Sequence, residues 1–503
     1  MPGTGAPLSH TPLPDPIAAL FPKASERNRV EQWLNAELQQ ALLRIQAGPV
    51  TPTIDMAAFR AELEGFDFDK PQPLDGLLRW TLERMEHGIV QMSNPRYFGL
   101  FNPGPNFPAQ CADRITSLFN PQLASSASSP VPVELERQVI RAVARRAGLG
   151  PEASGHFATG GSEANYTALI CALTAAHPGF AAEGARAFAG PVRFYTSRDC
   201  HIAWLKIAHQ AGVGRAALRL VGTDGRGRLD PHALKQAIAE DRAQGAVPLM
   251  VVATAGTTGA GMVDPLCACA DIARQESLWY HVDAAWGGAA LASNRLRPLL
   301  AGIERADSIT IDAHKWFATT MGCALFITGR ATLLSEAFHA STSFMPSSVS
   351  DVDPYLNSVQ WSRRFLGLRL FLALAAAGWE GLGAHVERSV ELMERVKDLL
   401  VQSGWVVANE SALAVLDVVP PAELGDVRGL VRRVVASGRA WVAPTTYEGR
   451  DVVRICATNG ETTLEDVNAL VAALNEPATP AFVGKVSPPR APGWPPPNGN
   501  FQG

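Results

Sequence analysis

The sequence predicts an α/β fold: a large domain built on a mostly parallel sheet, followed by a smaller α+β domain. Three observations predict it. Short apolar runs at 248–254, 278–282, 309–311 and 324–328 alternate with helical patterns between about 135 and 330, the spacing of strand–helix–strand units. The runs are nearly continuous in apolar residues, as strands covered on both faces are. After about residue 377 the pattern becomes helix (384–402), strand (414–418), helix (427–437), strand (452–457) and helix (464–474).

The ends differ from this middle. Residues 1–94 are predicted to form a helical arm, with roughly the first 25 loosely ordered because they are rich in Pro and Gly. Val30, Trp33, Leu34, Leu38, Leu42 and Leu43 recur at helical spacing within 27–47, and 74–92 continues in that style. Such an arm suits the wrapping of a partner subunit. Residues 94–132 mix turn residues with aromatics and are expected to be loops that line a pocket. The large domain is then 95–377, closing with a long helix at 362–377, and the small domain is 378–476. Residues 477–503 are dense in Pro, bury little, and are expected to be a disordered tail.

Composition excludes several function classes. The chain has 503 residues, 47% hydrophobic, with a net charge of −4. That length can support more than one core. There is no basic surplus to attract nucleic acid or an anionic membrane surface. No apolar run is long enough to span a bilayer. Residues 1–16 lack a basic segment followed by an apolar one, so no secretory signal is expected and a cytoplasmic location is. Of the seven cysteines only Cys267 and Cys269 are close, and Cys-x-Cys without a second pair does not make a metal site. They are read as small apolar residues on a helix after Pro265, and no metal is expected.

The chemistry concentrates at predicted strand ends. The run Ser308-Ile309-Thr310-Ile311-Asp312-Ala313-His314-Lys315-Trp316 delivers a lysine, with a histidine beside it, to the end of an apolar strand. Upstream, Tyr280-His281-Val282-Asp283-Ala284-Ala285 ends a second strand in an acid. A lysine amine that condenses with an aldehyde, and a buried carboxylate that keeps a pyridine nitrogen protonated, are what pyridoxal 5'-phosphate chemistry requires. Thr159-Gly160-Gly161-Ser162-Glu163-Ala164-Asn165 opens a helical run. Its glycines, its free N–H groups and the Ser162 hydroxyl make a phosphate cradle. Asp312 and His314 are placed to reach that phosphate or its waters. Thr254-Ala255-Gly256-Thr257-Thr258-Gly259 follows a strand and offers hydroxyls to the ring or phosphate. His201, after Tyr195-Thr196-Ser197-Arg198-Asp199-Cys200, is a candidate to stack on the ring. His281 shares a strand face with Asp283 by the two-residue period and is read as structural. Arg454, inside the apolar strand 452–457, is open to a substrate carboxylate or to an internal salt bridge.

Taken together, these segments resemble the group II pyridoxal-phosphate-dependent decarboxylases, the family of the aromatic L-amino acid and glutamate decarboxylases. The resemblance covers roughly 75–475, and its motifs come in the family's order: Pro95-Arg96-Tyr97-Phe98, Gly160-Gly161-Ser162-Glu163-Ala164, His201, Gly256-Thr257-Thr258, His281-Val282-Asp283-Ala284-Ala285 and His314-Lys315-Trp316. Trp361-Ser362-Arg363-Arg364 looks like the family's helix start, and Arg454 with Asn459 like its last strand. The resemblance implies an aspartate-aminotransferase-like fold (fold type I) with a seven-stranded sheet, and a homodimer with active sites at the subunit interface. It implies that Lys315 holds the internal aldimine, Asp283 the pyridinium and His201 the ring face. It also implies Gly161, Ser162 and His314 at the phosphate and Thr258 near the ring, and Gly160, Ala285 and Asp312 are further expected cofactor contacts. Decarboxylation of a small-molecule amino acid through a quinonoid intermediate is the implied reaction.

Two departures bear on the reaction and its substrate. Counting without gaps from the lysine puts Phe344 where the family's loop carries a proton-donating tyrosine. In related aromatic acetaldehyde synthases the same replacement accompanies aldehyde formation, so an oxidative, aldehyde-forming outcome stands as the alternative. Tyr355 is a second candidate donor, and other fold-type-I lyase or aminotransferase outcomes remain open. The predicted substrate wall is Phe98, Leu100 and Phe101, with Asn102 offering one hydrogen bond. Where glutamate decarboxylases carry polar residues, this wall suits an aromatic or largely apolar side chain.

Overall fold

The computed structural model describes residues 15–330, 332–339 and 353–477. Two sheets organise them. The larger has seven strands: β1 (Ser154–Ala158), β2 (Val192–Ser197), β3 (Leu218–Val221), β4 (Val247–Thr254), β5 (Trp279–Asp283), β6 (Ser308–Asp312) and β7 (Ala324–Thr328), in the order β1-β7-β6-β5-β4-β2-β3. Only β7 runs against the others, pairing antiparallel with both β1 and β6. The smaller sheet, β8 (Val406–Val407), β9 (Val415–Val419), β10 (Ala443–Tyr447) and β11 (Arg450–Cys456), is antiparallel in the order β10-β11-β9-β8.

The sequence runs explain the larger sheet. Every residue of β5, β6 and β7 is buried, because helices cover both faces. On one face the helix Gly161–Ala176 packs with Trp204, Phe194 and Phe326. On the other, Val139, Tyr280, Trp286 and Leu370 belong to one continuous core. Each such large side chain, fully buried, contributes ~1.5–3 kcal/mol. The parallel direction brings the C-terminal ends of β1, β2, β4, β5 and β6 to one edge, where ligands bind in open α/β sheets.

Two elements differ from expectation. Within 94–132 a helix, Phe107–Phe119, replaces loop. Asn106 caps it by accepting from the Ala109 N–H, a Pro sits in the first turn, and Asn120 closes it in the left-handed region (φ 41°). The helix expected over 362–377 starts at Leu368, because the Leu366 and Gly367 N–H groups donate to Glu136 Oε1 instead of entering a helix. It then continues as Leu368–Gln402, broken at Gly378 (φ 64°, ψ −179°) into two segments end to end.

In the arm, helices span Ala24–Ala47, Met56–Glu64 and Leu74–Gly88. Leu43 (59% exposed), Phe107 (72%), Leu118 (76%) and Phe119 (74%) present apolar surface. Among the described residues no helix is long and apolar enough to cross a membrane. Cys267 and Cys269 lie on the helix Leu266–Gln275, the first exposed and the second buried. The tail from 478 onward and the first fourteen residues lie outside the described residues, as does Phe344.

Candidate active site

A cavity of about 730 Å³ opens at the C-terminal edge of the large sheet. Five strands feed it. The turn after β1 brings Gly160, Gly161 and Ser162, and the segment after β2 brings His201. β4 ends on Thr254, with Gly256 and Thr258 beyond. β5 ends on Asp283 with Ala285 beyond, and β6 ends on Asp312 with His314 and Lys315 beyond.

Lys315 is one-fifth exposed, and its Nζ lies 3.1 Å from Asp312 Oδ2. The lysine caps a tight turn: the Ala318 N–H donates to the Lys315 carbonyl, and Ala318 takes a left-handed conformation (φ 53°). Asn106 clasps this turn, donating its backbone N–H to the Ala318 carbonyl and its amide to the Phe317 carbonyl. Behind it Trp316 stacks on Trp286 (4.8 Å, 9°), and Trp286 meets Phe101 (4.7 Å). The amine therefore stands at the mouth of an aromatic wall with one carboxylate beside it.

Asp283 is buried at the end of β5. Its carboxylate accepts from two neutral amides, Asn165 Nδ2 (2.8 Å) and the Ala285 N–H (3.2 Å). His201 accepts the Ala203 N–H at Nδ1 (3.2 Å), which places the proton of the neutral ring on Nε2. Burial pushes its pKa down, against the pull of Asp283 and with the push of Lys315. His314 Nδ1 lies against the backbone of Cys323 (3.0 Å to the carbonyl oxygen) and its Nε2 is 3.8 Å from Asp312 Oδ2.

The helix Gly161–Ala176 aims its N-terminus into the cavity. Gly161 keeps this space open: a Cβ there would sit 2.9 Å from Asp312 Oδ2 and force a shift. Glu163, the one acid in the first turn, lines the cavity with its carboxylate already engaged. It accepts from the Thr159 N–H and hydroxyl (2.9 and 2.6 Å) and from Gln360 (2.8 Å). Two buried oxygens of cavity-lining residues, Thr254 Oγ1 and Asp312 Oδ1, have no hydrogen-bond partner. An anion cradle, a lysine amine beside Asp312, an acid held by neutral donors and two unpartnered oxygens fit pyridoxal phosphate as the residues present it.

The expected substrate wall is corrected by the structure. Phe101 lines the cavity, but Phe98 is wholly buried in the core of the smaller sheet with Leu416 and Ile455. Leu100 is 41% exposed, and the Asn102 amide contacts Met321 Sδ. Neither borders this cavity. Arg454 donates to the carbonyls of Thr258 (2.7 Å) and Gly99 (3.3 Å) and lies over Phe101 (5.5 Å), so it holds the pocket loops together. Backbone hydrogen bonds hold Phe98 against the smaller sheet: its N–H donates to the Trp441 carbonyl, and the Cys456 N–H of β11 donates to its carbonyl. Tyr355 is buried against Trp361 (4.7 Å), outside the cavity.

Sequence reading missed Asn165, although it stands in the Gly160-Gly161-Ser162 motif. It lies one helical turn beyond Ser162, on the side turned toward β5, and the 3.6-residue period was the available signal. Tyr166, Trp286, Met321 and Val359 also line the cavity.

The fold and this geometry meet in the comparisons with known proteins. Residues 63–414 match the family model described as the pyridoxal-dependent decarboxylase conserved domain. Mouse cysteine sulfinic acid decarboxylase is 33% identical over 330 residues, covering 64% of this chain and 66% of the relative, so the match spans a little under two thirds of that protein. An aromatic-L-amino-acid decarboxylase of Bacillus atrophaeus is 28% identical over 438 residues, covering 84% and 89%. The crystal structure of mouse CSAD in apo form superposes with a TM-score of 0.81 at 27% identity, covering 87% of this chain and 98% of that one. By sequence, fold and site, the chain belongs to the pyridoxal-dependent decarboxylase family.

Proposed function

We propose that this chain is a pyridoxal-phosphate-dependent decarboxylase of L-amino acids with an aromatic or largely apolar side chain. The observation that carries it is the convergence of Lys315, Asp283 and the Gly160–Ser162 turn on one cavity. When bound, pyridoxal phosphate supplies an aldehyde for amines and a protonated ring that draws electrons from the substrate Cα.

The residues around it have separable tasks. Lys315 carries the amine that anchors the cofactor and is held in place by Asp312. Asp283 holds the proton on the ring nitrogen through a carboxylate that needs no cation of its own. The helix N-terminus and the Ser162 hydroxyl take the phosphate. His201 lies along the cavity with its proton directed to Nε2. Phe101 and Trp286 keep water from the amine side.

The named relatives include both acidic and aromatic specificities. The wall supports the aromatic or apolar reading: Phe101, Tyr166, Trp286, Met321 and Val359 face the cavity, and Arg454 is committed to backbone carbonyls. A panel of carboxyl-labelled L-amino acids, incubated with enzyme and pyridoxal phosphate, tests this. Carbon dioxide from aromatic substrates is the expected result. Preference for glutamate or cysteine sulfinate would overturn the specificity, and no carbon dioxide from any of them would overturn the function.

A second reading, aldehyde formation, rests on Phe344 in the sequence. Peroxide and ammonia stoichiometric with carbon dioxide would establish it over amine production, and F344Y would then shift the product toward amine. The exposed apolar residues Leu43, Phe107, Leu118 and Phe119 support a homodimer, and a cytoplasmic location completes the proposal.

A further inference from the structure

Behind Asp283 runs a buried line of polar side chains from three elements. Trp279 Nε1 lies 2.9 Å from Ser308 Oγ. Ser308 Oγ lies 2.8 Å from His281 Nδ1, His281 Nε2 lies 3.0 Å from Asn165 Oδ1, and Asn165 Nδ2 lies 2.8 Å from Asp283 Oδ2. Ser308 and His281 are wholly buried and Asn165 nearly so. β5 supplies the indole, the imidazole and the acid, β6 the serine, and the phosphate-side helix the amide.

The donors and acceptors have one consistent arrangement at neutral pH. An indole N–H only donates, so Ser308 Oγ accepts from Trp279 and has its own hydrogen left to give. An ionised Asp283 only accepts, so Asn165 must turn its NH2 toward it and its carbonyl toward His281. The imidazole must then donate from Nε2, which leaves Nδ1 to accept from Ser308. A flipped amide would set two acceptors against each other at the carboxylate, and the opposite tautomer would do so at Asn165 Oδ1. The edge of Trp204 packs against the ring (5.8 Å), and the nearest charged group is Asp283 itself. Burial pushes the His281 pKa down to about 4, so the ring is neutral in this chain of bonds.

We propose that Asn165 and His281 are positioning residues: through this one-directional chain they orient the Asp283 carboxylate toward the cofactor ring nitrogen. The inference rests on the proposed cofactor chemistry. Its physical content is that Asp283 receives its strongest hydrogen bond from an amide whose own orientation is set from the far end, by Trp279 and Ser308. Hydrogen bonds to an ionised acceptor are roughly twice as strong as neutral ones, and polarisation along a chain adds to them.

The test uses two substitutions and two readouts. H281Q keeps an acceptor toward Ser308 and a donor toward Asn165, whereas H281L keeps the volume and removes both. The first readout is the 15N spectrum of the histidines in the apoprotein, with H281Q identifying the signal that belongs to position 281. The expected result is a neutral ring protonated at Nε2 between about pH 6 and 8. The second is pyridoxal phosphate affinity, with thermal unfolding of each apoprotein as the control for folding. H281L should bind the cofactor roughly tenfold more weakly, while H281Q stays within about threefold of the parent. A ring protonated at Nδ1, or equal affinities for parent and H281L, would overturn the relay while leaving the cofactor assignment standing. A parent protein that takes up no pyridoxal phosphate would overturn the assignment, and the relay's role with it, even with the expected tautomer in place.

Discussion

Asp312 and Lys315 form an ion pair of 3.1 Å across the turn that follows β6, and the second carboxylate oxygen of Asp312 is buried with no partner. The pair fixes where the amine stands, and Gly161 leaves the space beside that carboxylate that a Cβ would fill. Three residues of separation put acid and amine on one face of the turn.

From this position follows the expectation for K315A. The variant should fold and take up pyridoxal phosphate reversibly, but lose the visible band of lysine-bound cofactor. Borohydride treatment should leave a mass tag on the peptide containing residue 315 in the parent and none in the variant. A tag elsewhere in the parent would remove Lys315 from its role.

Among the described residues Asp283 has no ion-pair partner, which suits the role proposed for it at the cofactor ring nitrogen. D283N preserves shape and removes charge. Turnover should fall roughly a thousandfold, the scale of losing one preorganised electrostatic partner. Thermal stability should change little. Turnover within tenfold of the parent, measured at saturating cofactor, would contradict the assignment.

Arg363 and Glu136 form a buried pair at 2.7 Å, with side chains 3% and 5% exposed. Glu136 also accepts the N–H groups of Leu366 and Gly367, so it sets where the long helix begins. R363M leaves that carboxylate buried and unpaired, and should cost ~3–5 kcal/mol of folding free energy. Urea unfolding of parent and variant measures it; a loss below about 1 kcal/mol would mean that the pair adds no net stability.

Asp417 is wholly buried on β9, opposite Arg454 on β11, and neither carboxylate oxygen has a hydrogen bond. Burial raises its pKa to about 8, with Arg454 pulling the other way. The folded state thus holds a proton that the unfolded state releases near the ordinary carboxylate value of about 4. Its contribution to stability is full below about pH 4 and is lost as pH rises through about 8, at about 1 kcal/mol per pH unit between. D417N removes this slope. Urea melts from pH 5 to pH 8 should therefore show the variant gaining on the parent as pH rises, and parallel curves would refute the shift.

Much of the site was legible because its parts are local. A lysine three residues past a strand, an acid at a strand end and glycines before a helix each announce themselves within a few residues, and their order along the chain points to one family. Phe98 shows where that reading stops. Its apolar ring suits a substrate wall, yet its backbone bonds to Trp441 and Cys456 set it in the core of the smaller sheet, while Phe101 turns to the cavity. The helix at Phe107–Phe119 was encoded by Asn106, the Pro after it and Asn120, but aromatics and turn residues outweighed that signal in the reading.

By itself, then, the sequence pointed to most of the elements, the family and the candidate reactive groups, since these depend on periodicity and neighbouring residues. Tertiary structure alone decided which groups touch. Asn165 and Asp283 are 118 positions apart and meet at 2.8 Å because β5 and the phosphate-side helix pack face to face. Arg454 joins Thr258, 196 positions away, and is thereby committed to holding loops together. Such contacts depend on the register of strands and the packing of layers, which are set by burial summed over the whole core.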